Sequence, residues 1–105
     1  MRVTVSHHQP KEEIKQAVDR SFDDLFRGIA AVPIRLVNEQ RKWTGSTLSF
    51  SLTAKMGFVS TPIKGTIEVT DREVIIDADF GLLEKLISAA GARTALEGKV
   101  RGLLT

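Results

Sequence analysis

The sequence predicts an α+β fold with two layers, in which an antiparallel sheet of about five strands carries two helices on one face. Five stretches alternate apolar and polar residues with the two-residue period of a β-strand. Two other stretches, one near each end of the chain, carry an apolar stripe at helical spacing. The loops between the later strands are too short for parallel crossovers, so the predicted order is β-α-β-β-β-β-α.

The chain has the length and composition of a globular domain. Its 105 residues are close to the commonest domain size, so we expect one domain over residues 1–105. Apolar residues make up 42% and charged residues 27%, which argues against disorder. The formal net charge is +2, because 15 basic residues nearly balance 13 acidic ones. This balance lacks the basic stripe of a nucleic-acid-binding protein, and the pair Arg41-Lys42 is typical of an exposed hairpin shoulder.

The first strand and the first helix are predicted between residues 2 and 27. Residues 2–7 alternate and are rich in β-branched side chains, which favours a short strand. Pro10 suits the first turn of a helix, where its missing N–H costs no hydrogen bond. A narrow apolar stripe then continues at helical spacing, which predicts a helix over about 10–27 that stops at Gly28.

Four further strands are predicted in the middle of the chain. The first has the weakest pattern, because the polar run NEQRK interrupts its apolar residues. Thr44-Gly45 forms a turn after it, and a connection containing Gly57 and Pro62 follows the second strand. The predicted strands cover about residues 34–43, 46–58, 63–70 and 73–80.

The last two strands are predicted to form a hairpin with a defined register. If Asp71-Arg72 is a two-residue turn, every apolar residue meets an apolar partner on the same face, as a buried side requires. The predicted opposite residues are Val69–Val74, Ile67–Ile76, Lys64–Asp79 and Ile63–Phe80.

The C-terminal segment is predicted to be helical but interrupted. An apolar stripe runs through residues 82–103 in steps of three or four. Gly91 lies within it, and an interior glycine costs a helix about 1 kcal/mol relative to alanine. Thr94 and Glu97 have the spacing of a capping box, which marks a helix start. We therefore expect a break or kink near Gly91 and a second helical piece from about residue 94.

Apolar side chains of the strands and the C-terminal helix are candidates for the lining of a core or of a ligand pocket. Aromatic residues at strand spacing belong to the core more often than to a pocket. The alternation also places Phe58 on this inner face as an apolar anchor. The candidate lining residues are Trp43, Phe50, Leu52, Ile67, Ile76, Phe80, Leu86 and Leu96.

The opposite face of the strand over residues 46–58 carries only small hydroxyl side chains. Such residues suit an outer sheet surface, where β-branched and hydrogen-bonding side chains are favoured. Because the strip is uncharged, it is also a candidate for a weak interface, for example in a homodimer with a two-fold axis. The candidate interface residues are Thr47, Ser49, Ser51 and Thr53.

The sequence contains no recognised catalytic or metal-binding motif, so we predict a non-enzymatic protein without a cofactor or metal. The absence of cysteine excludes disulfides and Cys-rich zinc sites. His7 and His8 point to opposite faces of a strand and are best interpreted as an exposed strand end. The best acid–base candidates are Glu73, Asp77 and Asp79, which share one strand face, although a solvated surface is the commoner role of such a group.

Targeting and membrane-spanning patterns are also absent. The N-terminal residues lack the apolar core of a signal peptide, and no apolar run approaches the roughly 20 residues of a membrane span. We therefore expect a cytoplasmic protein with no transmembrane segment and no nucleic-acid partner.

Three motifs, taken in order, resemble the polyhydroxyalkanoic acid system protein family of small bacterial proteins. They are WTGSTLSF at 43–50, PIKGTIEV at 62–69 and DFGLL at 79–83, followed by a terminal helix. The resemblance covers about residues 3–104 and rests on the order and spacing of the motifs, while the glycine-containing C-terminal segment departs from it. It implies a bacterial cytosolic protein associated with polyhydroxyalkanoate granules, and it supplies no catalytic residues.

Two functional hypotheses follow. The resemblance implies a non-enzymatic accessory module that contacts the granule surface or a granule protein, with the C-terminal apolar stripe as one means of contact. The alternative is a protein that binds a small hydrophobic ligand, an acyl or lipid group, between the sheet and the helices. It rests on a similarity of topology to a reduced helix-grip fold, and an apolar cavity of about 300 Å³ or more would favour it.

Overall fold

The computed structural model describes residues 1–27, 34–81 and 89–104, in which five strands form an antiparallel sheet and the helices pack on one of its faces. The α+β class is thereby confirmed, while the likeness to helix-grip folds stays a prediction. The elements in chain order are β1 (Arg2–Ser6), α1 (Lys11–Arg20), α2 (Phe22–Arg27), β2 (Arg35–Thr44), β3 (Thr47–Met56), β4 (Val59–Val69), β5 (Glu73–Asp79) and α3 (Ala89–Leu103).

The strand order in the sheet is β1-β5-β4-β3-β2. The four strands from β2 to β5 form a meander because short turns join each to the next. β1 pairs with β5 on the far side, so the two edge strands of the sheet are β1 and β2.

The predicted register of the β4–β5 hairpin is confirmed. Ile67 lies opposite Ile76, and Lys64 lies opposite Asp79 at the end of the ladder. The turn is closed by Thr70, whose hydroxyl oxygen accepts hydrogen bonds from the backbone N–H groups of Arg72 at 3.2 Å and Glu73 at 2.9 Å. Phe80 follows the last residue of β5, so its predicted pairing with Ile63 falls one step beyond the ladder.

The β3–β4 hairpin differs from the prediction in where its turn lies. β3 ends at Met56 and β4 begins at Val59, so Gly57 and Phe58 form a two-residue turn. Gly57 has a φ of +61°, which glycine adopts without the steric cost that a side chain would add. Pro62, predicted to lie in the connection, is inside β4, in the part that extends beyond β5 and has a strand neighbour on one side only.

The predicted N-terminal helix over about 10–27 is divided at Ser21 into α1 and α2. The apolar stripe continues across the division, since Val18, Phe22 and Phe26 are all buried. The ring centroids of Phe22 and Phe26 each lie 5.1 Å from that of Phe50 on β3, so both helices contribute to one aromatic cluster above the sheet.

Gly91 lies inside α3, which is continuous over Ala89–Leu103, so the predicted second helical piece begins earlier than residue 94. Residues 82–88, on the other side of the predicted break, lie outside the described residues. The Thr94 hydroxyl donates a hydrogen bond to the Ala90 carbonyl oxygen at 3.0 Å, which places Thr94 inside the helix rather than at its start. Burial of an apolar stripe against the core outweighs the glycine cost of about 1 kcal/mol. The buried residues of α3 are Ala92, Leu96 and Val100.

Candidate functional site

The predicted lining residues on the sheet and α3 lie in the packed core. A side chain that borders a cavity of useful size keeps surface that a ligand or water could contact, whereas these residues are at most 5% exposed. Trp43 is only partly buried and packs against the edge of this core. Leu86 lies outside the described residues. The six buried residues are Phe50, Leu52, Ile67, Ile76, Phe80 and Leu96.

Trp43 and Arg41 attach the edge strand β2 to the helices. The Trp43 indole N–H donates to the Asp19 carboxylate at 3.1 Å, and the Arg41 guanidinium donates to the Asp19 carbonyl oxygen at 2.7 Å. Arg41 also lies 5.2 Å from the ring centroid of Phe22, within cation–π range. Because neighbouring residues on a strand alternate, Lys42 points to the opposite face, so the pair Arg41-Lys42 does not form a single basic site.

A group of three carboxyls, Asp19, Asp23 and Glu39, surrounds this attachment. Glu39 follows Asn38, which has a φ of +55° at an irregularity in the β2–β3 pairing. A hydrogen bond with the Asp23 carboxyl raises the pKa of Glu39 above its ordinary value of 4.5, as do its partial burial and the neighbouring negative charges. Arg41 acts in the opposite direction, with its Nε 3.4 Å from the Glu39 carboxylate.

His7 is a structural residue, and the predicted exposure of the histidine pair is wrong for it. His7 is 4% exposed, whereas His8 is exposed. The Gln9 backbone N–H donates to His7 Nδ1 at 3.2 Å, which leaves the ring proton on Nε2 to donate to the Thr70 carbonyl oxygen at 2.7 Å. Nε2 therefore holds the end of β1 to the β4–β5 turn, while Nδ1 fixes the chain that leads from β1 to α1.

The acidic residues of β5, Glu73, Asp77 and Asp79, share one face as predicted from strand alternation. Asp77 and Asp79 are exposed, and the Asp79 carboxylate accepts a hydrogen bond from the Gly81 N–H at 2.9 Å. Within residues 1–27, 34–81 and 89–104, no three acidic or histidine side chains are arranged to hold a metal ion. The arrangement is that of a solvated strand face whose last carboxylate stabilises a turn.

The hydroxyl strip lies on the sheet surface opposite the helices, which we call the outer face. In the register it is joined there by Lys42 of β2, Lys64 of β4 and Asp77 of β5. A shallow depression of about 480 Å³ lies over this part of the sheet, bordered by Ser49, Ser51 and both lysines. Among the strip residues, Ser49 is exposed and the other three are partly buried: Thr47, Ser51 and Thr53.

The end of the β3–β4 hairpin, residues 56–59, presents an apolar side chain to solvent, and we call it the hairpin tip. Phe58 has an exposed fraction of 110% and is the only large hydrophobic residue exposed in the described part of the chain. Its predicted place on the inner face is wrong, because the turn at Gly57 ends the alternation that Phe50 and Leu52 follow. The glycine was the sequence feature that could have located this turn.

Two cations flank the hairpin tip. Lys55 precedes it on β3 and is exposed, and Arg35, opposite Lys55 in the register, is exposed on β2. The tip therefore combines an aromatic side chain with nearby positive charge, a combination that suits contact with an apolar surface bearing anionic or ester groups.

None of the helices formed by the described residues is both long enough and apolar enough to cross a membrane. Comparisons with curated proteins and with solved structures found no match. A family model described as putative polyhydroxyalkanoic acid system protein matches residues 1–101. Because that match spans nearly all of the 105 residues, the chain belongs to this family of the polyhydroxyalkanoic acid system.

Proposed function

We propose that this chain is a non-enzymatic, cytoplasmic accessory protein of polyhydroxyalkanoate metabolism that attaches to the granule surface through the hairpin tip. The observation that carries the proposal is the complete exposure of Phe58 at the end of a hairpin. The membership in the polyhydroxyalkanoic acid system family supplies the setting.

The energetics of Phe58 favour insertion into an apolar surface. Transfer of a fully exposed phenylalanine side chain from water to an apolar environment contributes about 1.5–3 kcal/mol. The tip stands on the ten residues of β3 and the eleven of β4, which are paired along their length, so little conformational freedom is lost on binding. Lys55 and Arg35 add electrostatic attraction to any anionic groups at that surface.

The hairpin tip supports granule contact better than the C-terminal stripe does. Leu96 and Val100 of that stripe are at most 1% exposed, because they pack on the sheet and the other helices. If these residues left the core to bind a surface, the core would lose as much apolar burial as the surface contact would provide, so binding would gain nothing. The tip needs no such rearrangement.

The non-enzymatic part of the proposal is supported by the roles that the titratable side chains already have. Both ring nitrogens of His7 are engaged in hydrogen bonds within the fold, and Asp79 stabilises a turn. The raised pKa of Glu39 arises in a group that joins β2 to α1 and α2.

The alternative, a binder of acyl or lipid groups between sheet and helices, has less support. It needs free volume beside the inner face of the sheet, whereas Ile67, Ile76 and Leu96 are at most 1% exposed there. A granule protein as the partner of the tip, in place of the granule surface, is distinguished by the experiment below.

The test is co-sedimentation of the purified protein with isolated polyhydroxyalkanoate granules. Phe58→Ser removes the apolar side chain and is expected to weaken binding by roughly tenfold to a hundredfold, the equivalent of 1.5–3 kcal/mol. Phe58→Trp is the matched control, since it keeps a large aromatic group and is expected to bind within about threefold of the wild type. Neither change should alter the fold, because Phe58 makes no buried contact.

Wild-type protein that stays in solution beside granules, and captures no granule protein, would overturn the whole proposal. Equal binding by the wild type and Phe58→Ser would show that the hairpin tip is not the contact. Granules stripped of surface proteins provide the remaining comparison, since loss of binding there identifies a protein partner instead of the polyester surface.

A further inference from the structure

We propose that the outer face of the sheet is a self-complementary interface, on which a second copy of this chain packs with its two-fold axis parallel to the strands and between β3 and β4. This assembly goes beyond granule attachment and does not depend on it. It gives the hydroxyl strip Thr47, Ser49, Ser51 and Thr53 a defined place, at the centre of a homodimer.

The first observation is that the outer face carries exposed charges of both signs, with the basic Arg2 of β1 opposite Asp77 of β5. The acidic side chains Asp77 and Asp79 belong to β5, on one side of the face. The basic side chains Lys42 and Lys64 lie on β2 and β4, toward the other side. In the described part of the chain, neither lysine nor Asp77 has an ion-pair partner within 4.0 Å. Charges of both signs are therefore available to a partner.

The second observation is that Asp77 and Lys42 lie in the same row across the sheet. Asp77 is opposite Thr66, Thr66 is opposite Ser49, and Ser49 is opposite Lys42. A two-fold axis parallel to the strands and between β3 and β4 leaves each row in place and lays β5 of one copy over β2 of the other. Asp77 then faces Lys42 of the second copy, and the same pair forms again across the axis.

The same geometry sets the hydroxyl side chains against the remaining charged ones. β3 of one copy lies over β4 of the other, so Ser51 faces Lys64 of the second copy and Thr47 faces Glu68. Serine and threonine hydroxyls both donate and accept hydrogen bonds, so each can pair with either sign of charge. Small side chains in the centre also permit the sheet separation of about 10 Å that face-to-face packing requires.

Two other two-fold arrangements of this face bring like charges together. An axis along β4 would set Lys64 opposite Lys64 of the second copy, and Glu68 opposite Glu68 of the second copy. An axis perpendicular to the strands would lay the acidic β5 over the acidic β5 of the partner. Like charges opposite each other across an interface are strongly unfavourable, which disfavours both arrangements. The axis between β3 and β4 is preferred to other axes parallel to the strands because it lays the four longest strands, β2 to β5, over one another.

The overlap is large enough for a specific dimer. Three strands of ten or eleven residues and β5 of seven, spaced about 4.8 Å apart, cover roughly 600 Å² in projection. That is comparable with the roughly 800 Å² of accessible surface that each partner buries in an interface of standard size.

The test uses charge reversal and measures the mass of the purified protein by sedimentation equilibrium over roughly 1–100 µM, the range in which weak interfaces of this size dissociate. Lys42→Asp sets aspartate against Asp77, and Asp77→Lys sets lysine against Lys42, twice in each dimer. Each variant is expected to raise the dimer dissociation constant at least tenfold. Both residues are exposed, so circular dichroism should show an unchanged fold, with a small loss of stability in Asp77→Lys because its lysine lies opposite Arg2 of β1.

An equimolar mixture of the two variants is the decisive sample. In a mixed dimer the aspartate introduced by Lys42→Asp faces the lysine introduced by Asp77→Lys. The two unchanged residues form the original pair on the other side of the axis, so dimerisation is expected to recover. A wild-type protein that is monomeric throughout, single variants that dimerise as the wild type does, or a mixture that fails to recover would each overturn this interface.

Discussion

The carboxyl of Glu39 is held close to two others, those of Asp23 and Asp19, at the edge strand β2. The hydrogen bond with Asp23 is the largest reason why the pKa of Glu39 lies above 4.5. A pKa that is higher in the folded than in the unfolded chain means that folding favours the protonated carboxyl. The contribution of Glu39 to the stability of the folded chain is therefore greatest when its carboxyl is protonated.

The resulting prediction is a pH dependence of stability that Glu39→Gln removes. Between pH 4.5 and the raised folded pKa, the wild type loses stability relative to Glu39→Gln as pH rises, because the folded chain gives up a proton that it holds more tightly than the unfolded chain does. The change should not exceed about 1 kcal/mol, since the group is partly exposed. Urea unfolding at a series of pH values from 4 to 7 measures it.

Glu97→Gln is the control for this series, because Glu97 lies on α3 and its ion pair with Arg101 involves no other carboxyl. A wild type that gains stability relative to Glu39→Gln as pH rises over this interval would contradict the raised pKa and its assigned cause.

Single-residue roles were the least predictable from the sequence. Alternation placed Phe50 and Leu52 correctly on the inner face, but it carried Phe58 inward too, because period counting does not show where a strand ends. His7 and His8 are identical in type and adjacent, yet only His7 is buried. Its burial depends on the Thr70 carbonyl, a partner 63 residues away that no local pattern reveals.

Among the helices and strands, those with strong periodicity were predicted correctly, whereas the positions at which they begin and end were predicted less accurately. The β4–β5 register followed from apolar pairing alone, because a slip of one residue would bury Lys64 or Asp79. The start of α3 was predicted at about residue 94 instead of Ala89, since the cost of Gly91 is local and visible in the sequence, whereas the compensating burial of Leu96 and Val100 arises only from tertiary packing.

Gly65 of β4 is a glycine that the packing of the sheet requires, in contrast to Gly91 of α3, which the helix only tolerates. It faces inward between Phe50 and Ala78, and a Cβ built on it would meet the Asp77 carbonyl oxygen and lie 2.7 Å from the Cα of Ala78. Gly65→Ala therefore forces β5 away from β4. We expect it to lower the free energy of unfolding by about 1–3 kcal/mol, measured by urea or thermal unfolding.

Gly98→Ala is the matched control, with an expected effect of the opposite sign. Gly98 is exposed on α3 and a Cβ there would meet nothing within 4 Å, so alanine gains helix propensity worth up to about 1 kcal/mol. Equal effects of the two substitutions would show that the approach of β5 to β4 at Gly65 is not the reason for this glycine.

At the scale of the whole molecule, the sequence predicted the class, the strand count and the helical face, because these follow from binary pattern and loop length. It did not predict which strands form the edges. That outcome depends on β1 pairing with β5, about 70 residues away, which leaves β2 to be held by Trp43 and Arg41. The proposed contact surfaces are what remains once the inner face is covered: the outer face and the hairpin tip.

These two surfaces are related by the proposed symmetry. A two-fold axis parallel to the strands keeps the strand direction of both copies the same along the axis, so both hairpin tips lie at one end of the dimer. The axis passes between β3 and β4, the strands that the tip connects, so the two Phe58 side chains are neighbours at about the sheet spacing of 10 Å. Two tips on one surface bind with a higher effective concentration than one.

Dimerisation should therefore strengthen granule binding. Lys42→Asp, which disrupts the proposed dimer without touching the hairpin tip, is expected to weaken co-sedimentation with granules by about tenfold or more at concentrations where the wild type is dimeric. Lys42→Asp combined with Asp77→Lys is the control, because it has the net charge of the wild type and restores the opposite charges across the axis. Recovery in that double variant would assign the loss to dimerisation, whereas monomeric Lys42→Asp that binds granules as tightly as the wild type would show that the two tips act independently.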